Sequence, residues 1–150
     1  MPMNVLEVSD VSIKYNGYLA VDKINFDVKE GDLLGIVGPN GAGKTTTLRA
    51  VSNLLHGERG AVTKGSIECR GERIEALTPA DLVKRGVIQV MEGRHCFGHL
   101  TIEENLMTGS YTRSDGKAAV AQTLEKVYNY FPRLQDTTQQ SGGLYLRRRA

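Results

Sequence analysis

Nine consecutive residues offer the plainest chemistry in this sequence: Gly38-Pro39-Asn40-Gly41-Ala42-Gly43-Lys44-Thr45-Thr46. Gly38 and Gly43 bracket the loop, and Lys44 and Thr45 follow directly. The pattern G-x-x-x-x-G-K-[ST] is that of a phosphate-binding loop when a strand precedes it and a helix follows. The glycines let the backbone wrap closely enough for its N–H groups to face phosphate oxygens. A helix N-terminus adds partial positive charge at the same place. Lys44 would then reach the β- and γ-phosphates of a nucleoside triphosphate, and the Thr45 hydroxyl would ligate the Mg²⁺ that bridges them. A glycine-rich turn that happens to precede a helix is the plainer alternative. It leaves the coincidence of Gly38, Gly43, Lys44, Thr45 and two flanking elements without a reason.

Those flanking elements are legible. The apolar run Leu33-Leu34-Gly35-Ile36-Val37 reads as a buried strand. The segment from Thr46 to Leu55 reads as a helix that buries Leu48, Val51, Leu54 and Leu55 and stops near His56-Gly57, with Gly57 as its cap. Upstream, Val5 to Val8 and Val11 to Ile13 read as short strands, and Tyr15-Asn16-Gly17-Tyr18 is a turn signal. Ile24, Phe26 and Val28 alternate with polar residues as a half-buried strand does, and Glu30-Gly31-Asp32 turns the chain. An antiparallel β layer is therefore expected before the loop. Tyr15, with Val21 a few residues on, offers an aromatic face for stacking a nucleobase. Read from residue type alone, Tyr15 is more simply a surface tyrosine in a turn.

Downstream, Ser66 to Cys69 and Arg73-Ile74 flank Arg70-Gly71-Glu72 as a small hairpin. Thr78 and Pro79 open a short helix that ends near Arg85-Gly86. Val87 to Met91 is a second apolar run, read as a strand parallel to Leu33–Val37. After a loop from Glu92 to Leu100, Thr101-Ile102-Glu103-Glu104 forms a capping box and opens a helix to about Met107. Ser114-Asp115-Gly116 is a linker. Val120, Leu124, Val127, Tyr128 and Phe131 mark one face of a helix that Pro132 ends. The last third reads as a small helical subdomain.

Charge and composition exclude several classes. Nineteen basic residues stand against 17 acidic ones, which gives no general case for nucleic acid or an anionic membrane. Cys69 and Cys96 are read as reduced thiols, there being no signal peptide in the sequence. No apolar run approaches the roughly 18–20 residues of a membrane span, so a membrane role is expected through a partner. His95, Cys96 and His99 match no complete zinc site, and a fourth ligand is missing nearby.

The order of these features resembles the ATP-binding subunit of ABC transporters, over nearly the whole chain to about Leu146. Tyr15 stands where that family has its adenine-stacking aromatic loop. Val90-Met91-Glu92-Gly93-Arg94 and then Leu100 to Leu106 look like its Q-loop and the start of its helical subdomain. Glu92 occupies the glutamine position, and a carboxylate can ligate Mg²⁺ in place of an amide oxygen. The Glu-Gly-Arg form, and Phe131-Pro132-Arg133-Leu134, look like the subgroup serving branched-chain amino-acid importers. Related urea-type subunits tend to carry Gln-Gly-Arg.

The resemblance implies an α/β P-loop NTPase: an N-terminal antiparallel β layer, an incomplete RecA-like core and the start of a helical subdomain over about 92–140. It implies ATP and Mg²⁺ as ligands. Lys44 and Glu92 would take catalytic roles, and Thr45 and Glu92 would hold Mg²⁺. Tyr15, Val21, Gly38, Pro39, Asn40, Gly41, Ala42, Gly43, Lys44, Thr45 and Thr46 would hold ATP. It implies membrane permease subunits, a second ATP-binding subunit and, indirectly, a solute-binding protein as partners, at the cytoplasmic face of a membrane. No nucleic-acid partner is implied. Alternatives are an ABC ATPase for another solute such as urea, one serving an exporter, and a different P-loop enzyme such as a small-molecule kinase, for which no arginine-bearing lid is recognisable.

The family's Leu-Ser-Gly-Gly-Gln signature, its Walker B strand ending in Asp, its catalytic Glu and its switch His are not found in these 150 residues. Ser141-Gly142-Gly143 lacks the flanks of the signature. The chain is thus expected to be the N-terminal portion of one nucleotide-binding domain, with Arg147 to Ala150 a frameshift tail. By itself it is expected to bind nucleotide without turnover, and to be poorly soluble or molten.

Overall fold

A slip in the apolar alternation of the first thirty residues is absorbed by bulges. The computed structural model describes residues 4–93 and 95–142. In it β1 (Asn4–Tyr15) and β2 (Tyr18–Lys29) are continuous strands, where the local pattern reads β1 as two. Val8 and Val11 are three residues apart, so a regular strand would put them on opposite faces. Asp10 adopts φ 49 and forms a bulge, which restores the phase. The Ser12 hydroxyl supports the matching irregularity in β2: it donates to Asp22 Oδ1 at 2.8 Å and accepts from the Lys23 N–H at 3.1 Å. The pairs Val8↔Phe26, Val11↔Ile24, Ile13↔Val21 and Tyr15↔Tyr18 result. Asn16 and Gly17 join the strands at φ 46 and 87, the two left-handed residues of a type I′ hairpin.

The other side of β1 pairs with β3 (Gly60–Cys69), which starts well before Ser66, and β4 (Glu72–Arg73) completes the antiparallel order β2-β1-β3-β4. One face of this sheet supplies Val8, Val11, Ile13, Val21 and Ile67 to the core. Against it pack Ala50 of α1 (Lys44–Val51), Leu55 of a 3-10 turn (Leu55–Glu58) and Leu82 of α2 (Pro79–Lys84). Thr78 caps α2, accepting from the Asp81 N–H.

Helix α1 differs from its sequence reading. It ends at Val51, not Leu55; its buried residues are Thr47 and Ala50, and Leu48 is exposed. Asn53 explains the stop. It takes φ 54, and its side-chain amide donates to the Ile74 and Leu77 carbonyls at 2.6 and 2.7 Å. A continuing helix would carry that amide away from both carbonyls, so Gly57 caps nothing and falls inside the 3-10 turn.

A second correction concerns the two apolar runs. Leu33 to Val37 and Val87 to Met91 are not strands. Leu33 is 101% exposed, Val37 93% and Val90 93%. Parallel strands need neighbours on their edges and cover on both faces, and no ladder beside either run exists among the described residues.

The described residues divide into two compact units between Gln89 and Val90. In the second, α3 (Ile102–Thr108) opens on the expected capping box: Thr101 accepts from the Glu104 N–H, and the Glu104 carboxylate accepts from the Thr101 N–H at 2.7 Å. Helix α4 (Lys117–Tyr130) half-buries Val120, Leu124, Val127 and Tyr128. Phe131 leaves that face: it is exposed at the helix end, and Pro132 starts α5 (Pro132–Gln135). Arg147 to Ala150 lie outside the described residues, as do Arg94 and Gly143.

Candidate functional site

The loop before α1 is built to leave its N–H groups free. Gly41 takes φ 85 and Gly43 φ 90, conformations that cost a side-chain-bearing residue about 1–2 kcal/mol. Left-handed residues placed among right-handed ones give a backbone concavity that binds anions. Within the loop, Ala42 N–H bonds the Pro39 carbonyl at 3.2 Å, and the first helical bond runs from Thr47 N–H to Gly43 O at 2.9 Å. The N–H groups of Gly41, Gly43, Lys44, Thr45 and Thr46 find no acceptor among the described residues. Helix α1 has no acidic residue in its first turn and no side-chain cap. Five donors and the positive end of the helix dipole are thus left for one anion.

Lys44 is held in place. Its ammonium donates to the Gly38 carbonyl at 2.7 Å and the Pro39 carbonyl at 2.8 Å. An ammonium has three donors, so the third remains for a ligand oxygen. The Thr45 side chain is exposed and unbonded. Thr47, which the motif does not include, has its hydroxyl on the Gly43 carbonyl at 2.9 Å and is buried, tying the loop's end to the first turn of α1.

The β layer meets the loop at Val21. A Cβ on Gly43 would stand 2.7 Å from Val21 Cγ2 and 3.5 Å from the Ala20 carbonyl oxygen. A shallow groove runs from the loop along Val21, Ile24 and Phe26. Tyr15 sits at the end of the same sheet, with its ring laid over Gly60: a Cβ at Gly60 would be 2.5 Å from Tyr15 Cε1. The Tyr15 hydroxyl is buried and finds no partner among the described residues. The sequence reading missed this seat, because Gly60 comes opposite Tyr15 only when β3 pairs with β1.

Glu92 belongs to the second unit. Its side chain is exposed and unbonded, and its carbonyl accepts from His95 Nε2 at 2.6 Å. His99 turns edge-on to Phe97. The loop before α3 is clamped by Asn105, another residue the motifs do not flag. Its Oδ1 accepts from the Phe97 N–H at 2.8 Å, and its Nδ2 donates to the Phe97 and Thr101 carbonyls at 3.0 and 2.8 Å. Ser141 bridges to Thr101, and Gly142 N–H reaches the Leu100 carbonyl at 2.8 Å. No helix among the described residues is long and apolar enough to cross a membrane.

The chain's similarities to known proteins point to one family. Residues 21–146 match the family model described as ABC transporter. The chain is 33% identical over 139 residues to the high-affinity branched-chain amino acid transport ATP-binding protein BraG of Pseudomonas aeruginosa, covering 93% of this chain and 57% of that one. It is 34% identical to the sn-glycerol-3-phosphate import ATP-binding protein UgpC of Bartonella quintana, covering 77% of this chain and 31% of that one. Among solved structures, a nucleotide-free ATP-binding cassette from an ABC transporter superposes with TM-score 0.73 at 20% identity, covering 94% of this chain and 58% of that one. An ATP-binding subunit of an ABC transporter superposes with TM-score 0.71 at 26% identity, covering 91% and 54%. The chain spans little more than half the length of BraG and less of the other relative.

Proposed function

Because this chain belongs to the ABC transporter family, we propose that it is the ATP-holding part of an importer's ATP-binding subunit, serving branched-chain amino acids. The observation that carries the phosphate assignment is the set of five unbonded N–H groups at Gly41, Gly43, Lys44, Thr45 and Thr46. All five lie within residues 41–46, the same stretch that carries the Lys44 ammonium and its third donor. The solute follows the similarity to BraG; the similarity to UgpC keeps phosphate-bearing solutes as the second reading.

Each residue has a separable task in this reading. The loop N–H groups orient the β- and γ-phosphates without side-chain entropy. Lys44 stays anchored on Gly38 and Pro39 and presents its third N–H to the γ-phosphate side. The exposed Thr45 hydroxyl is the hard oxygen that the loop itself would offer to Mg²⁺. When bound, Mg²⁺ neutralises charge between the β- and γ-phosphates. Phosphoryl transfer needs positioning together with a group that orients the attacking water. The 150 residues supply the positioning, so their activity by themselves is binding, with hydrolysis requiring further groups. Permease subunits at a cytoplasmic membrane face, and a second ATP-binding subunit, are the partners of this assignment.

Lys44→Ala tests it. Mg-ATP binding measured by titration calorimetry should weaken at least 100-fold. Equal affinity in the variant and the unmodified chain removes the phosphate assignment. Release of inorganic phosphate by the unmodified 150-residue chain contradicts the binding-only part.

A further inference from the structure

The Gly43 carbonyl accepts two hydrogen bonds from one residue. The Thr47 N–H donates to it at 2.9 Å, and the Thr47 hydroxyl donates to it at 2.9 Å as well. A backbone carbonyl has two lone pairs, so this acceptor is filled. The hydroxyl is held in place, because Thr47 is buried and a β-branched side chain in a helix has few rotamers. The same peptide unit carries the Lys44 N–H. It is trans and planar, so its N–H points opposite to its C=O. With the carbonyl drawn along α1, the Lys44 N–H faces out of the helix start.

Gly43 is also where this peptide turns most easily, since a glycine lacks the Cβ that restricts backbone rotation. Rotation of the Gly43–Lys44 peptide would exchange a donor at the helix start for a carbonyl oxygen, whose partial negative charge repels phosphate. Two other carbonyls of the loop are occupied from within: the Lys44 ammonium takes those of Gly38 and Pro39. We propose that Thr47 is a positioning residue for phosphate, its hydroxyl locking the Gly43–Lys44 peptide with the N–H toward the anion. This deepens the assignment of the loop at Gly38–Thr46 to phosphate and rests on it. Thr47 itself does not touch the ligand. A threonine that merely satisfies its own hydroxyl by bonding back along its helix adds nothing to helix stability, and its loss would leave binding unchanged.

Two variants separate packing from positioning. Thr47→Val keeps the shape and removes the hydroxyl, and the Gly43 carbonyl retains the N–H of residue 47. Its urea midpoint should hold or rise. Its affinity for Mg-ATP and for inorganic tripolyphosphate with Mg²⁺ should fall alike, by roughly 3- to 10-fold, the worth of one hydrogen bond. Thr47→Ser keeps the hydroxyl and loses a buried methyl. Its midpoint should fall, and both affinities should stay within twofold of the unmodified chain. The inference is overturned if Thr47→Val binds both ligands as the unmodified chain does while Lys44→Ala abolishes both. It is overturned equally if Thr47→Ser loses as much affinity as Thr47→Val, or if the loss in Thr47→Val is confined to ATP. If the unmodified chain binds neither ligand, the phosphate assignment fails and the inference goes with it.

Discussion

Val21 Cγ2 lies 2.7 Å from where a Cβ on Gly43 would be. The strand and the phosphate loop are that close because one residue of the loop has no side chain. The contact seats a backbone turn on the core face of the sheet, through a residue that is itself only 7% exposed. The glycine before Lys44 therefore has two requirements to meet at once, the left-handed φ of 90 and the approach of Val21.

Gly43→Ala violates both. Left-handed strain costs ~1–3 kcal/mol, and forced overlap in a packed site costs a further ~1–3 kcal/mol. The urea midpoint should fall accordingly. Adding Val21→Ala to Gly43→Ala should relieve the overlap and leave the strain. A double-mutant cycle with zero coupling between the two positions would show that the contact is not energetically felt.

Asn105 holds the loop in front of α3 by acting as a one-residue strand partner to Phe97, accepting from its N–H and donating to its carbonyl. Asn105→Leu leaves that N–H and the Thr101 carbonyl without the amide. A stability loss of ~1–3 kcal/mol is expected, with faster hydrogen exchange at the Phe97 amide. Asn105→Asp keeps the acceptor and should retain more of that protection. Unaltered exchange at Phe97 in the leucine variant would contradict the clamp.

Acid should loosen the β3–β4 end of the sheet. Partial burial of Glu75 opposes its ionisation, but the Arg73 hydrogen bond, the Ile67 N–H at 2.8 Å and the charge of Arg73 together hold its pKa below the ordinary value. A folded-state pKa below the unfolded one means a contribution that is complete above the unfolded value of 4.5 and lost as pH falls through the folded value. Asp81, held down by the Thr78 hydroxyl, and Glu104, held down by the Thr101 N–H, act in the same direction. Thermal midpoints measured between pH 7 and pH 3 should decline most steeply below pH 4.5, and Glu75→Gln should flatten part of that decline. An identical pH profile for Glu75→Gln would assign the acid sensitivity elsewhere.

What the sequence determined by itself was whatever depends on a few adjacent residues. The loop from Gly38 to Thr46, the Thr101–Glu104 capping box, the Thr78–Pro79 helix start and the Asn16-Gly17 turn are set by φ preferences and by hydrogen bonds spanning three or four residues. These energies exist before any tertiary contact forms. Tertiary structure decided the rest. The apolar runs Leu33–Val37 and Val87–Met91 have strand-like composition, but a strand exists only where another backbone lies beside it, and none does among the described residues. Asn53 ends α1 because the carbonyls of Ile74 and Leu77, more than twenty residues away, take its amide. By residue type Tyr15 and Tyr18 look alike, one on each side of the same turn. Gly60, brought across from another strand, gives one of them a seat and leaves the other in the open.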